Sequence, residues 1–196
     1  MKRLFATMAV TAALVSMPSL SSAAKKPLYK DSRAPIEARV DDLLSRMTLH
    51  EKVQQLRNNS ISRPDEIAGR YGNVSPGSVH EMGGSAYDAA VLFTSMQKYL
   101  ADSTRLGIPA LTSVEGIHGI IQNGCTIFPQ AIAQGATFNP SLIERMTAAE
   151  AAEARVMGIS QFLSPVLDLA RELRWGRVEE CFSEDPYLCL LYTSPS

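Results

Sequence analysis

The stretch NPSLIERMTAAEAAEARVMGISQFLSPVL (Asn139–Leu167) decides the fold. Asn139 is a residue type whose side chain accepts from the free N–H groups of a first helical turn. Pro140 has no N–H to leave unpaired there. A helix is therefore predicted from Pro140 to about Met157, through Leu142, Ile143, Met146, Ala149 and Ala152, with Gly158 ending it. The apolar run Phe162–Leu167 reads as a buried strand. Upstream, Ile108–Val114 reads as another, with Pro109 near its start. The order strand, loop, helix, strand, loop is that of parallel βα units, and the predicted class is α/β.

The remaining segments fit around these units. Thr48-Leu49-His50-Glu51 has the spacing of a capping box, so a helix is predicted from there to about Leu56. Ile36–Met47 places Ile36, Val40, Leu43, Leu44 and Met47 on a helical stripe, and Tyr87–Leu100 does the same with Val91, Leu92, Met96, Tyr99 and Leu100. Asn58–Gly84, rich in Gly, Ser, Asn and Pro, reads as a loop with short elements bordering a site. Residues 25–35 read as an extended leader.

Both predicted βα strands run into polar clusters. The first ends at Glu115-Gly116-Ile117-His118-Gly119. The second leads to RELRWGRVEECFSEDP (Arg171–Pro186), with Arg171, Arg174 and Arg177 among Glu172, Glu179, Glu180, Glu184 and Asp185, and with the chain's single tryptophan, Trp175. Charged loops are commonly solvated ion pairs of little energetic worth. In a parallel sheet, however, both clusters fall on the same carboxyl edge, which favours one joint pocket. Guanidinium forks, carboxylates and a flat aromatic face suit a polyhydroxylated ligand. Gly176 suggests a tight backbone aiming its two neighbours, and Pro186 reads as the first residue of a helix. His118 between glycines reads as a structural hydrogen-bonding residue.

Composition narrows the class. Nineteen basic against twenty acidic residues in 196 give a net charge of −1, with no electrostatic case for nucleic acid or an anionic membrane. Lys2 and Arg3, the apolar Leu4–Val15 and Ser22-Ala23-Ala24 have the form of a signal peptide over residues 1–24, too short to span a membrane. The chain is expected to be exported, to periplasm or extracellular space, with no membrane association after cleavage. The 172 residues that would remain suit one domain. Cys125, Cys181 and Cys189 are odd in number, and Cys125 and Cys181 can pair. The histidines at 50, 80 and 118 are scattered and the cysteine spacings fit no zinc motif, so neither metal nor cofactor is expected.

Four ordered segments together resemble the amino-terminal part of glycoside hydrolase family 3: VDDLLSRMTLHEKVQQL (Val40–Leu56), RLGIPALTSVEGIHG (Arg105–Gly119), TIFPQAIAQGATFNPSLI (Thr126–Ile143) and RWGRVEECFSEDPYL (Arg174–Leu188). The resemblance covers residues 36–188 and implies the first part of a (β/α)8 TIM-barrel-like domain. It implies a retaining exo-β-glycosidase acting on an oligosaccharide or other β-glycoside. Glu115 stands where the family has an acidic residue holding hydroxyls of the terminal sugar, commonly Asp. Arg177 matches an arginine that donates to a sugar hydroxyl. Arg174, Trp175, Glu180 and His118 are expected in supporting roles. The aspartate nucleophile and the glutamate acid/base are expected downstream of Ser196, so no catalytic residue is assigned within the chain.

A full barrel takes about 250 residues, so the sequence is expected to be a fragment, inactive alone. Residues 189–196 depart from the family's helical pattern and are expected to be unrelated sequence. For the parent protein the reading is a β-glucosidase. A β-xylosidase of the same family and a non-catalytic sugar-binding protein remain alternatives.

Overall fold

A computed structural model describes residues 26–80 and 84–193. The expected export signal at residues 1–24 lies outside the described residues. The chain divides into two units, residues 1–46 and 47–196. In the first, the segment expected to be extended contains a 3-10 turn at Leu28–Lys30, followed by helix α1 (Ile36–Arg46). Asp42 accepts from the Tyr29 N–H at 3.0 Å, and Arg39 Nε donates to the Tyr29 carbonyl at 3.1 Å. The predicted stripe residues Ile36, Val40 and Leu44 are exposed.

The second unit opens with α2 (Leu49–Gln55), and the capping box predicted for it is formed. Thr48 Oγ1 accepts from the Glu51 N–H at 3.2 Å while Glu51 accepts from the Thr48 N–H at 2.8 Å. Glu51 also takes Arg105 Nε at 2.8 Å. The Arg105 guanidinium holds this buried carboxyl down to about 2.

Four strands follow in alternation with helices: β1 (Asn58–Ser60), α3 (Ile67–Tyr71), β2 (Ser78–His80), α4 (Ala86–Ser103), β3 (Leu111–Val114), α5 (Ala131–Gly135), α6 (Pro140–Met157) and β4 (Gln161–Phe162). The strands are parallel and lie side by side in chain order, with Val79 opposite Thr112 and Val114 opposite Phe162. A doubly wound sheet reverses its strand order, whereas a (β/α)8 barrel winds one way. The described sheet winds one way, as the first part of such a barrel does, and all four carboxyl ends share one edge.

The caps of α6 are those read from the sequence. The Asn139 side chain accepts from the Leu142 N–H at 3.2 Å, and Gly158 closes the helix in the left-handed conformation. The buried face differs. Ile143, Glu150, Ala154 and Met157 are buried, whereas Ala149 and Ala152 are exposed. On α4, Leu92, Phe93, Met96 and Leu100 are buried and join Val79, Val114, Ala154 and Met157 in the main core. Each large apolar side chain removed from water there contributes roughly 1.5–3 kcal/mol.

Two predicted strands are shorter than expected. β3 begins at Leu111, after Pro109. β4 ends at Phe162, and only the Leu163 N–H, donating to the Val114 carbonyl at 2.8 Å, extends its ladder. Pro165 has no N–H to continue it, and Leu167 is exposed. The segment Asn58–Gly84, read as a loop with short elements, supplies β1, α3 and β2.

A smaller cluster of Ala131, Ile143, Phe182 and Cys189 forms against α7 (Pro186–Thr193), which starts at the predicted proline. Tyr192 stacks on Phe182 with ring centroids 5.1 Å apart. The helix thus continues through residues 189–193, within the segment expected to be unrelated sequence. All three cysteines are free thiols.

Candidate functional site

The carboxyl edge of the sheet opens into a cavity of about 630 Å³ lined by His80, Glu115, His118, Gln122, Arg177 and Glu180, among others. Glu115 follows the buried Val114 at the end of β3. Its side chain is 55% exposed and available to a ligand. Gly116 turns the chain at φ +61°, and a Cβ there would stand 2.2 Å from the Phe162 ring. Only glycine fits that turn, so β3 and β4 meet closely just beneath the site.

Arg177 reaches the cavity from the loop after β4. Its Nε donates to Glu180 Oε2 at 2.8 Å, and Nη2 shares the same oxygen. The Glu180 contact raises the Arg177 pKa above its ordinary value, with smaller contributions from the charges of Glu115 and Asp168. Glu180 therefore holds a permanent cation in the cavity that Glu115 also lines. Asp168 itself does not line the cavity.

His118 is fixed by its backbone and its ring. Nδ1 lies 3.1 Å from the Phe128 carbonyl, which can only accept, so Nδ1 carries a proton. The Phe128 N–H returns a bond to the His118 carbonyl at 2.8 Å, and Gly119 bridges to Ile127. These contacts pin the segment after Glu115.

Of the six residues singled out in the sequence, Glu115, Arg177, His118 and Glu180 meet in this cavity. Arg174 and Trp175 do not line it. Arg174 forms an exposed fork with Glu172 at 2.8 and 2.7 Å. Gly176 has no left-handed φ, and a Cβ added there would meet nothing within 4 Å, so it imposes no special aim on its neighbours.

Sequence reasoning missed His80. It closes β2, with Nδ1 3.4 Å from Ser113 Oγ and Nε2 3.7 Å from Glu115 Oε1. Its signal was positional: like Glu115, it is the polar residue that ends a parallel strand. The strand itself, Ser78–His80, had no apolar run to reveal it.

Acceptor carboxylates beside a fixed guanidinium and two imidazoles can bind several hydroxyls of one ligand through charge-assisted bonds. Among the described residues no group of three or more His, Cys, Asp or Glu is placed to hold a metal ion. No described helix is long and apolar enough to cross a membrane.

Comparison with known proteins agrees with this geometry. The profile of the glycosyl hydrolase family 3 N-terminal domain matches residues 48–194. An inferred β-xylosidase from Formosa agariphila is 34% identical over 96% of this chain and 27% of its own length. A periplasmic β-glucosidase from Salmonella typhimurium is 29% identical over 91% of this chain and 22% of its own. Among solved structures, a β-glucosidase from Erythrobacter marinus superposes with a TM-score of 0.71 at 30% identity, covering 85% of this chain and 23% of that one. The chain spans about a quarter of the length of these relatives. With its parallel sheet, its barrel-like winding and a profile match over most of its length, the chain belongs to glycosyl hydrolase family 3, in the region of that family's N-terminal domain.

Proposed function

We propose that this chain is the sugar-binding part of an exported, retaining exo-β-glycosidase that releases terminal non-reducing β-D-glucosyl residues. The observation that carries this reading is the meeting of Glu115, just past β3, and Arg177, from the loop after β4, in one cavity. Glu115 accepts from two adjacent sugar hydroxyls and Arg177 donates to another, fixing the ring at the barrel mouth. Retaining hydrolysis then needs two carboxylates flanking the scissile bond, about 5–5.5 Å apart. In this reading both come from sequence beyond the chain. Export to the periplasm or beyond is supported by the signal-like residues 1–24 and by relatives named as periplasmic.

The relative with 34% identity favours a second reading, a β-xylosidase. A hexose and a pentose differ by one hydroxymethyl group, so the same polar contacts serve both. Hydrolysis of aryl β-D-glucoside and aryl β-D-xyloside by the gene product that carries this chain separates the two. A higher kcat/KM on the glucoside supports the first reading and a higher value on the xyloside the second. Sugar binding with no hydrolysis of either would mark a non-catalytic binder.

A further inference from the structure

Helix α6 turns two carboxylates toward the segment that follows Glu115. Glu153 accepts from the Thr126 N–H at 3.0 Å and from Thr126 Oγ1 at 2.7 Å. Glu150, one turn earlier, is 6% exposed and lies on the buried face between Met146 and Ala154. It sits directly under the turn: a Cβ on Gly116 would be 2.8 Å from its Oε1. That Oε1 is buried without a partner among the described residues.

The surroundings disfavour a charge. Glu150 faces a second cavity, of about 590 Å³, walled largely by Ile117, Phe128, Ile143, Phe162 and Phe182. The titratable residues along that wall are Glu144 on the same helix and Tyr192 on α7, with no lysine or arginine among them. Helix α4 meets α6 through the apolar Phe93, Ala154 and Met157. Glu115 and His118 flank the turn itself. Burial pushes Glu150 up to about 7, with the nearby Gly119 backbone opposing the rise and the Glu153 charge adding to it.

We propose that Glu150 is a positioning residue: its carboxyl is the platform on which the Gly116–Gly119 turn rests, and its charge state sets where that turn holds Glu115 and His118. Uncharged, Glu150 rests under the turn with an O–H of its own to donate. Ionised, it is a buried anion with no cation beside it, and it must draw in water by loosening the turn. Because its pKa is raised, the ordered turn is fully present below the usual carboxylate range. It is lost as the pH rises through about 7.

The functional consequence rests on the reading that Glu115 binds sugar, so the test has two arms. In the gene product that carries this chain, glycine-selective isotope labelling follows the Gly119 amide by NMR from about pH 5 to 9. The amide is expected to titrate near neutrality, and Glu150→Gln is expected to abolish that titration. In the same preparations KM for an aryl β-glycoside is expected to rise several-fold across the same midpoint, and Glu150→Gln to flatten the profile. A Gly119 amide that does not titrate, or that titrates alike in both proteins, overturns the inference without recourse to any substrate. Intact titration with no glycoside turnover or binding overturns instead the assignment of the cavity to sugar.

Discussion

Gly116→Ala is the substitution that most tightly joins fold and site. Two costs add. The residue holds φ +61°, a conformation that costs an L side chain roughly 1–2 kcal/mol. The new methyl would also stand 2.2 and 2.7 Å from ring carbons of Phe162 and 2.8 Å from Glu150 Oε1. Overpacking of that kind costs about 1–3 kcal/mol. The sum is about 2–5 kcal/mol, the lower end applying if Phe162 rotates aside. Equilibrium urea unfolding reads it as a midpoint lowered by about 1 M or more, for a slope of about 2 kcal/mol per molar. Gly176→Ala is the matched control, since that position has no left-handed φ and open space around it. It should stay within about 0.5 kcal/mol of the parent. Equal midpoints for the two variants would refute the tight turn beneath Glu115.

Other outcomes follow from the same contacts. Glu51→Gln should destabilise by about 1–3 kcal/mol at pH 7, the Arg105 side chain being 43% exposed and the pair partly screened. Since the folded-state pKa of Glu51 is lowered from 4.5 to about 2, that contribution is present above the usual range and fades as the pH falls toward about 2. Unfolding curves of parent and variant should converge in acid, and a constant gap would contradict the pairing. His80→Ala should lower kcat/KM on an aryl β-glycoside by a few-fold, the worth of one modest hydrogen bond of about 1 kcal/mol. Unchanged kinetics would remove His80 from the site. Cys181 and Cys189 are buried thiols whose pKa values burial pushes up. A water-soluble thiol reagent at pH 7 should therefore modify them only as the chain unfolds, and rapid reaction in native conditions would show a more open α7.

What was legible in the sequence was written in residues with one strong local job. Thr48 with Glu51, Asn139 with Pro140, and Gly158 each satisfy orphaned helix-end groups, and each sits where the sequence placed it. The clusters Glu115/His118 and Arg174–Glu180 were legible because polar residues just past buried strands collect at one edge of a parallel sheet, and the resemblance to family 3 picked Glu115 and Arg177 out of them. β1 and β2 were not: Asn58–Ser60 and Ser78–His80 are three-residue strands of mostly polar composition, too short for any periodicity. His80 was hidden with them. Glu150 was hidden differently, since a glutamate among alanines reads as a solvated helix position until the turn above it is known. The end of β4 was obscured by the apolar run Phe162–Leu167, which masks the break that Pro165 makes in the ladder.

The central claim is that Glu115 and Arg177 grip the sugar released by a family 3 glycosidase. It is tested most directly by kcat/KM of the gene product on aryl β-D-glucoside and β-D-xyloside, with and without Arg177→Ala. Loss of a charge-assisted hydrogen bond worth about 1.5–3 kcal/mol predicts a fall of roughly 10- to 150-fold on the preferred glycoside. Turnover by Arg177→Ala equal to that of the parent protein would contradict the account.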